Sequence, residues 1–221
     1  MLDQIINKLR KELSQDKWDT YNEDAKISKL NEVTDQLKVI FNIEGPIRLS
    51  FLENERGASY VERSGVHFIE IGKLDLDSSK ESVDNLAHEL FHAMEFERID
   101  EFKKIPPNEV IFKRIVQAES PFIKEWIKNK KAGYIEPTRP WWQFWISPEN
   151  QYFKYRNQPL ERDAWKKGEE MAKMLTNPIS MKNSKPSFFD SIMDASQISL
   201  SEDDIKILAE IQEEIKNDHE H

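Results

Sequence analysis

His88 and His92 stand four residues apart in Ala87-His88-Glu89-Leu90-Phe91-His92, inside a run over 83–96 that reads as a helix. On a helix, residues four apart share a face, so the two imidazoles can reach one Zn²⁺ while Glu89 lies beside them, placed to act on water. Ordinary residue frequencies produce this H-E-x-x-H pattern in about one chain in a hundred of this length. Val83, Leu86, Ala87, Leu90, Phe91 and Met94 give the same helix an apolar stripe, and Ser79 or Ser82 is expected to cap it. Upstream, Gly65-Val66-His67-Phe68-Ile69-Glu70-Ile71-Gly72 alternates as a half-buried strand that stops at a glycine, and 74–79 reads as a turn. A strand, a turn and an amphipathic helix in that order set the His-Glu-His segment against a sheet.

A catalytic zinc takes three protein ligands and keeps a fourth position open, so one donor must come from elsewhere. One common continuation places a glycine three residues after the second histidine and a third histidine three beyond it. Glu95 and Arg98 occupy those positions here and exclude that arrangement. Glu95 itself lies about 10 Å further along the helix axis than His88, too far to share its metal, and is read as a solvated charge. The remaining donors are later glutamates: Glu109, Glu119, Glu136 and Glu149 in the connection that follows, and Glu161. Glu161 has the strongest local context, because Pro159 suits a first helical turn and helical periodicity then runs to Leu175.

The H-E-x-x-H helix together with Glu161-Arg162-Asp163-Ala164 resembles the gluzincins. These are zinc metallopeptidases whose third ligand is a glutamate on a second helix, in a segment that reads Glu, any residue, an acidic residue, Ala. The resemblance covers about 57–175 and not the termini. It implies Zn²⁺ held by His88, His92 and Glu161, with Glu89 as general base and then general acid in peptide-bond hydrolysis. Asp163 or Asn157 would orient a ligand or its helix, and Tyr152 or Tyr155 would donate to the oxyanion. The strand at 66–71 would form the edge of the cleft and pair with extended peptide. The fold implied is α+β and zincin-like: a small twisted sheet packed on the His-Glu-His helix, a second helix bearing the glutamate, and extra helices at both termini. The long connection between His92 and Glu161 departs from compact gluzincins and leaves room for an extra subdomain. Two rival readings stand beside this one. The first is a peptidase-like protein that binds metal or a protein partner without efficient hydrolysis, and the second is a helical interaction protein without metal.

The chain of 221 residues is long enough for one sizeable core. Its expected parts are N-terminal helices in 1–44 (2–13 and 22–41), a metallopeptidase domain in 45–175 with 106–151 as an inserted connection, and a linker with C-terminal helices in 176–221. Strands are expected at 47–52, 58–62 and 66–71, with His67 a partly exposed strand residue. Helices are expected at 108–118 and 120–131. The aromatic run Arg139-Pro140-Trp141-Trp142-Gln143-Phe144-Trp145 is expected to anchor its connection to the core. With no cysteine, neither a disulfide nor a thiolate zinc site is available. An acidic balance, 41 Asp and Glu against 32 Lys and Arg, argues against nucleic acid as a partner; the peptide or protein substrate is what the resemblance to gluzincins implies. No membrane-spanning run and no leader are evident, so the cytoplasm is the default location, with secretion as an effector the alternative.

Overall fold

The computed structural model describes residues 2–104, 125–130, 134–135 and 147–176. Its described residues fall into two units, one running to Met94 and resuming at Glu161, the other running from Glu95 to Leu160. The protein is α+β.

The first unit begins with three helices, α1 (Leu2–Glu12), α2 (Gln15–Trp18) and α3 (Glu23–Phe41). Asparagines close both ends of α3. The Asn22 side chain accepts from the Ala25 amide, and Asn42 takes a left-handed φ of 53° while its own amide reaches the Lys38 and Val39 carbonyls. Leu30, Val33, Leu37 and Phe41 are buried along one face of α3, whereas Ile27 and Ile40, also expected there, are half-buried. The short α2 has no periodicity long enough to read in advance, yet it delivers Trp18, which is fully buried with its indole N–H donating to the Leu76 carbonyl at 2.7 Å.

Three strands follow: β1 (Ile47–Leu52), β2 (Ala58–Arg63) and β3 (Val66–Gly72). β2 and β3 form an antiparallel hairpin through Ser64 and Gly65, both at positive φ (54° and 75°), the mirror-image turn that matches the twist of its strands. β1 pairs parallel to β3, with Ile47 opposite His67 and Leu52 opposite Gly72. The order is therefore β1-β3-β2, and β3 is the central strand. This corrects the expectation that 66–71 forms the edge of a cleft. Alternation within a strand reports which side chains share a face, whereas its two neighbours are chosen by pairings distant in sequence. Ile69 and Ile71 are both fully buried, as a strand flanked on both sides requires. Gly72 ends β3 where a Cβ would lie 2.3 Å from the backbone oxygen of Glu55, so only glycine lets the turn after β1 pass this close.

A 3₁₀ turn (Lys73–Asp77) leads into α4 (Ser79–Lys104). The serine that caps α4 is Ser78, whose Oγ accepts from the Glu81 amide at 3.2 Å. Ser79 and Ser82, the expected caps, instead donate to the Leu13 and Asp75 carbonyls. Each thereby satisfies a carbonyl brought near by the tertiary fold. The buried Asp75 carboxylate accepts from the Gly57 amide, from Asn85 at 2.8 Å and from Arg56 at 3.3 Å, tying the β1–β2 turn to the start of α4. The apolar stripe of α4 is buried as expected from Val83 to Met94, and burial is continuous around the helix over 86–95. Each of its leucines contributes about 1.5–3 kcal/mol by leaving water. Glu95, the first residue of the second unit, is 0% exposed and so is not the solvated charge expected. The last helix among the described residues, α6 (Pro159–Thr176), starts at the anticipated proline and buries Ala164, Met171, Ala172 and Leu175.

In the second unit Gln158 binds the backbone of Ile135 through both amide atoms, at 3.0 and 2.8 Å, and accepts from Asn129 at 2.9 Å. Ser147 caps α5 (Pro148–Asn157) by accepting from the Asn150 amide. Residues 125–130 are helical, within one of the helices expected for the insertion. The expected helix at 108–118, the aromatic run at 139–145 and the elements of 177–221 lie outside the described residues. No described helix is long and apolar enough to cross a membrane.

Candidate metal centre

His88 and His92 project from one face of α4, and their Nε2 atoms are 3.1 Å apart. Glu161, third residue of α6, brings Oε2 to 3.4 Å from His88 Nε2 and Oε1 to 3.3 Å from His92 Nε2. All three residues are buried, Glu161 at 1% exposure. Among the described residues this is the group of three metal-type donors whose atoms lie within 4.8 Å of one another. Zinc–ligand bonds of about 2.0–2.1 Å in a tetrahedron require neighbouring donors about 3.3–3.4 Å apart. The imidazole nitrogens at 3.1 Å and the two Glu161 oxygens at 3.3 and 3.4 Å, each facing a different histidine, lie close to that length, so the donor set is of a size to surround a zinc-sized cation. The chemistry agrees: two imidazoles and one carboxylate would leave a dication with net positive charge.

Glu89 stands outside the donor group, its Oε1 at 4.0 Å from His88 Nε2. Burial, the largest influence, raises its pKa above the ordinary carboxylate value, with His88 and His92 opposing that shift and the Glu161 charge adding to it. A carboxyl group raised in this way can hold a proton as well as release one.

Two residues of α6 seat it on α4. Trp165, four after Glu161, places its ring edge-on to His88 with centroids 4.7 Å apart. His88 Nδ1 has no hydrogen-bond partner among the described residues, and packing orients this ring, where a hydrogen bond to the second nitrogen is the commoner device. Gly168, seven after Glu161 on the same face, is a point of close approach. A Cβ there would lie 2.8 Å from the Asp84 backbone oxygen and 3.3 Å from His88 Cβ. A lone glycine inside an otherwise strong helix-forming segment is the sequence signal of such a crossing, though it does not identify the partner. Gly168→Ala is expected to cost about 1–3 kcal/mol by overpacking, more than the roughly 0.5–1 kcal/mol that alanine adds to a helix interior. Because it displaces the helix carrying Glu161, zinc affinity should also fall about tenfold. Thermal melting and zinc titration check this, and a variant equal to wild type in both would disprove the close approach.

On the sheet side, His67 is 3% exposed, which corrects its reading as a partly exposed strand residue. Its position opposite Ile47 puts it on the same face as Ile69 and Ile71, the face the core covers. Tyr60 of β2 lies with its hydroxyl 2.9 Å from His67 Nδ1, and the two rings stack at 5.8 Å. The Tyr60 ring is also 6.3 Å from that of His92. Neither residue stood out from its sequence context as a neighbour of the histidine pair.

The other candidates are placed as follows. Tyr152 and Tyr155 belong to α5 in the second unit, with ring centroids 6.0 Å apart, and Tyr155 meets Tyr134 edge-on at 6.1 Å. Asn157 is exposed and donates to Phe153 on its own helix, so its amide serves α5 and not a ligand. Asp163 is half-buried and pairs with the adjacent Arg162 at 3.0 Å. Of the rival glutamates, Glu149 is exposed in the first turn of α5, and Glu109, Glu119 and Glu136 lie outside the described residues. Comparison with protein-family models, with curated proteins and with solved structures found no match.

Proposed function

We propose that this chain is a zinc-dependent peptidase of gluzincin type with a zincin-like fold, in which His88, His92 and Glu161 hold the metal and Glu89 transfers protons. The observation that carries this reading is the convergence of two imidazoles and a carboxylate from two helices within 3.1–3.4 Å of one another, with a second carboxylate outside that group beside them. Zinc at such a site supplies Lewis acidity, which acidifies water and polarises a peptide carbonyl. Glu89 takes a proton from the water whose oxygen forms a bond to the carbonyl carbon. It then delivers that proton to the amine nitrogen as the carbon–nitrogen bond breaks. Its buried setting supports both halves of this transfer, since desolvation brings a carboxyl group closer to the range in which it exchanges protons near neutral pH. The helices fix His88, His92, Glu89 and Glu161 on regular elements, where they lose little freedom on binding substrate.

The test is elemental analysis of the purified chain together with cleavage of an unfolded protein substrate. Bound zinc near one equivalent is expected, along with cleavage that stops on chelation and returns with zinc. A chain that neither retains zinc nor takes it up on titration would overturn the proposal.

A further inference from the structure

Glu161 is the third residue of α6, in the turn where a helix is held least by its own hydrogen bonds, because its first four amides have no carbonyl to meet within the helix. The residue before α6, Gln158, is not of the short polar type that normally closes such an end, and its side chain is committed to the Ile135 backbone. Pro159 has no amide to satisfy. The closing acceptor comes instead from Asn129, whose Oδ1 takes the Leu160 amide at 3.3 Å while its Nδ2 donates to Gln158 Oε1 at 2.9 Å. Backbone partners fix which way both side-chain amides face. The N–H of Leu160 meets Asn129 Oδ1, and the N–H and carbonyl of Ile135 meet Gln158 Oε1 and Nε2. This bracket has one consistent set of donors and acceptors, and all of it lies within the second unit.

In a capping box, a glutamate at the third helical position turns back to the amide that precedes the helix. Here that amide, of Gln158, goes to the Tyr155 carbonyl at 3.3 Å, and the Glu161 carboxylate faces His88 and His92. We infer that Asn129 is a positioning residue for the metal centre: by capping α6 from 31 residues away, it holds the turn that carries Glu161. A carboxylate about 5–6 Å from a helix axis moves by about 1 Å for roughly 10° of rotation, whereas metal–ligand distances tolerate about 0.2 Å. A frayed first turn therefore releases the third donor while both histidines stay in place on α4. This rests on the zinc reading above, and it gives Asn129 the part that the family resemblance offered to Asp163 or Asn157. The connection between His92 and Glu161, which supplies Asn129 and Ile135, thereby sets how tightly the metal is held.

The experiment measures zinc affinity by competition with a chromogenic chelator, on the full chain and on Asn129→Ala, Asn129→Asp and Asn157→Ala, with melting in chelator as the check on folding. Asn129→Ala is expected to bind zinc about tenfold more weakly. Asn129→Asp keeps an acceptor for the Leu160 amide, and its charge suits a helix N-terminus, so it should stay within about threefold of wild type. Asn157→Ala, which removes an amide that bonds Phe153 on α5, should match wild type. In the zinc-free wild type the Leu160 amide should exchange its hydrogen slowly, as a capped amide does and a frayed one does not. A cap that served stability alone would lower the melting temperature of Asn129→Ala and leave its zinc affinity as in wild type, and that result overturns the inference. So does an Asn129→Asp or Asn157→Ala as weak as Asn129→Ala. A fast Leu160 amide in the wild type also overturns it, and that measurement stands even where a variant does not fold. Each of these leaves the zinc reading intact, whereas a wild type that takes up no zinc overturns both.

Discussion

Glu89→Gln is expected to keep its zinc and to lose about 10²–10⁴ of its peptide turnover, the range a positioned acid–base group supplies. Each factor of ten corresponds to about 1.4 kcal/mol of barrier, so the carboxylate is being asked for roughly 3–5.5 kcal/mol. The amide has almost the shape of the carboxylate and can still hydrogen-bond water, but it cannot take a proton from it. Metal affinity should be unchanged because Glu89 lies outside the converging donors, 4.0 Å from His88 Nε2 at its nearest recorded contact. Thermal stability should be unchanged or higher, since burial already disfavours the charged form that the substitution removes. The measurement is steady-state cleavage by wild type and variant at equal, verified zinc content. A variant within about tenfold of wild type would mean that proton transfer runs through another group.

The parts of the site legible in the sequence are those that depend on local periodicity. The four-residue spacing of His88 and His92 and the stripe of Val83, Leu86, Ala87 and Leu90 follow from a helical repeat, as does Glu161 in the first turn opened by Pro159. Strand positions were legible for the same reason, since alternation in Val66–Gly72 needs no knowledge of neighbours. What local pattern cannot report is which elements meet. The central place of β3, the burial of His67 and Glu95, and the contacts of Tyr60 with His67 and His92 are all properties of pairings between distant segments. The capping of α4 shows the same limit within four residues. All three of Ser78, Ser79 and Ser82 are acceptable caps by residue type, and the choice falls to Ser78 because the Leu13 and Asp75 carbonyls claim the other two. Gly168 is an intermediate case, visible as an anomaly in a helix and meaningful only once α4 is seen against it.

Glu161→Gln is expected to abolish most of the stabilisation that zinc gives this protein. Zinc that binds the folded chain and not the unfolded one adds RT ln(1 + [L]/Kd), about 2.7 kcal/mol at a hundredfold excess over Kd. For a chain of this size each kcal/mol raises Tm by roughly 2–4 °C, so the wild type should melt about 5–10 °C higher with zinc than with chelator. Glu161 contributes the only negative charge among the three donors, and its two oxygens face both histidines, at 3.4 and 3.3 Å. Exchanging it for a neutral amide removes the charge that attracts the dication and leaves an oxygen that is a poorer ligand. Affinity should fall about 10²-fold or more, which at the same zinc concentration brings the stabilisation down to roughly 0.4 kcal/mol, within error of none. His92→Ala should behave alike. Glu149→Gln is the matched control, an exposed carboxylate in the first turn of α5 whose loss should leave the zinc-dependent shift intact. Melting curves with and without zinc for the four proteins decide the point: a shift retained in Glu161→Gln and lost in Glu149→Gln would move the third donor from α6 to α5. A shift retained in every variant would place the metal away from these helices altogether.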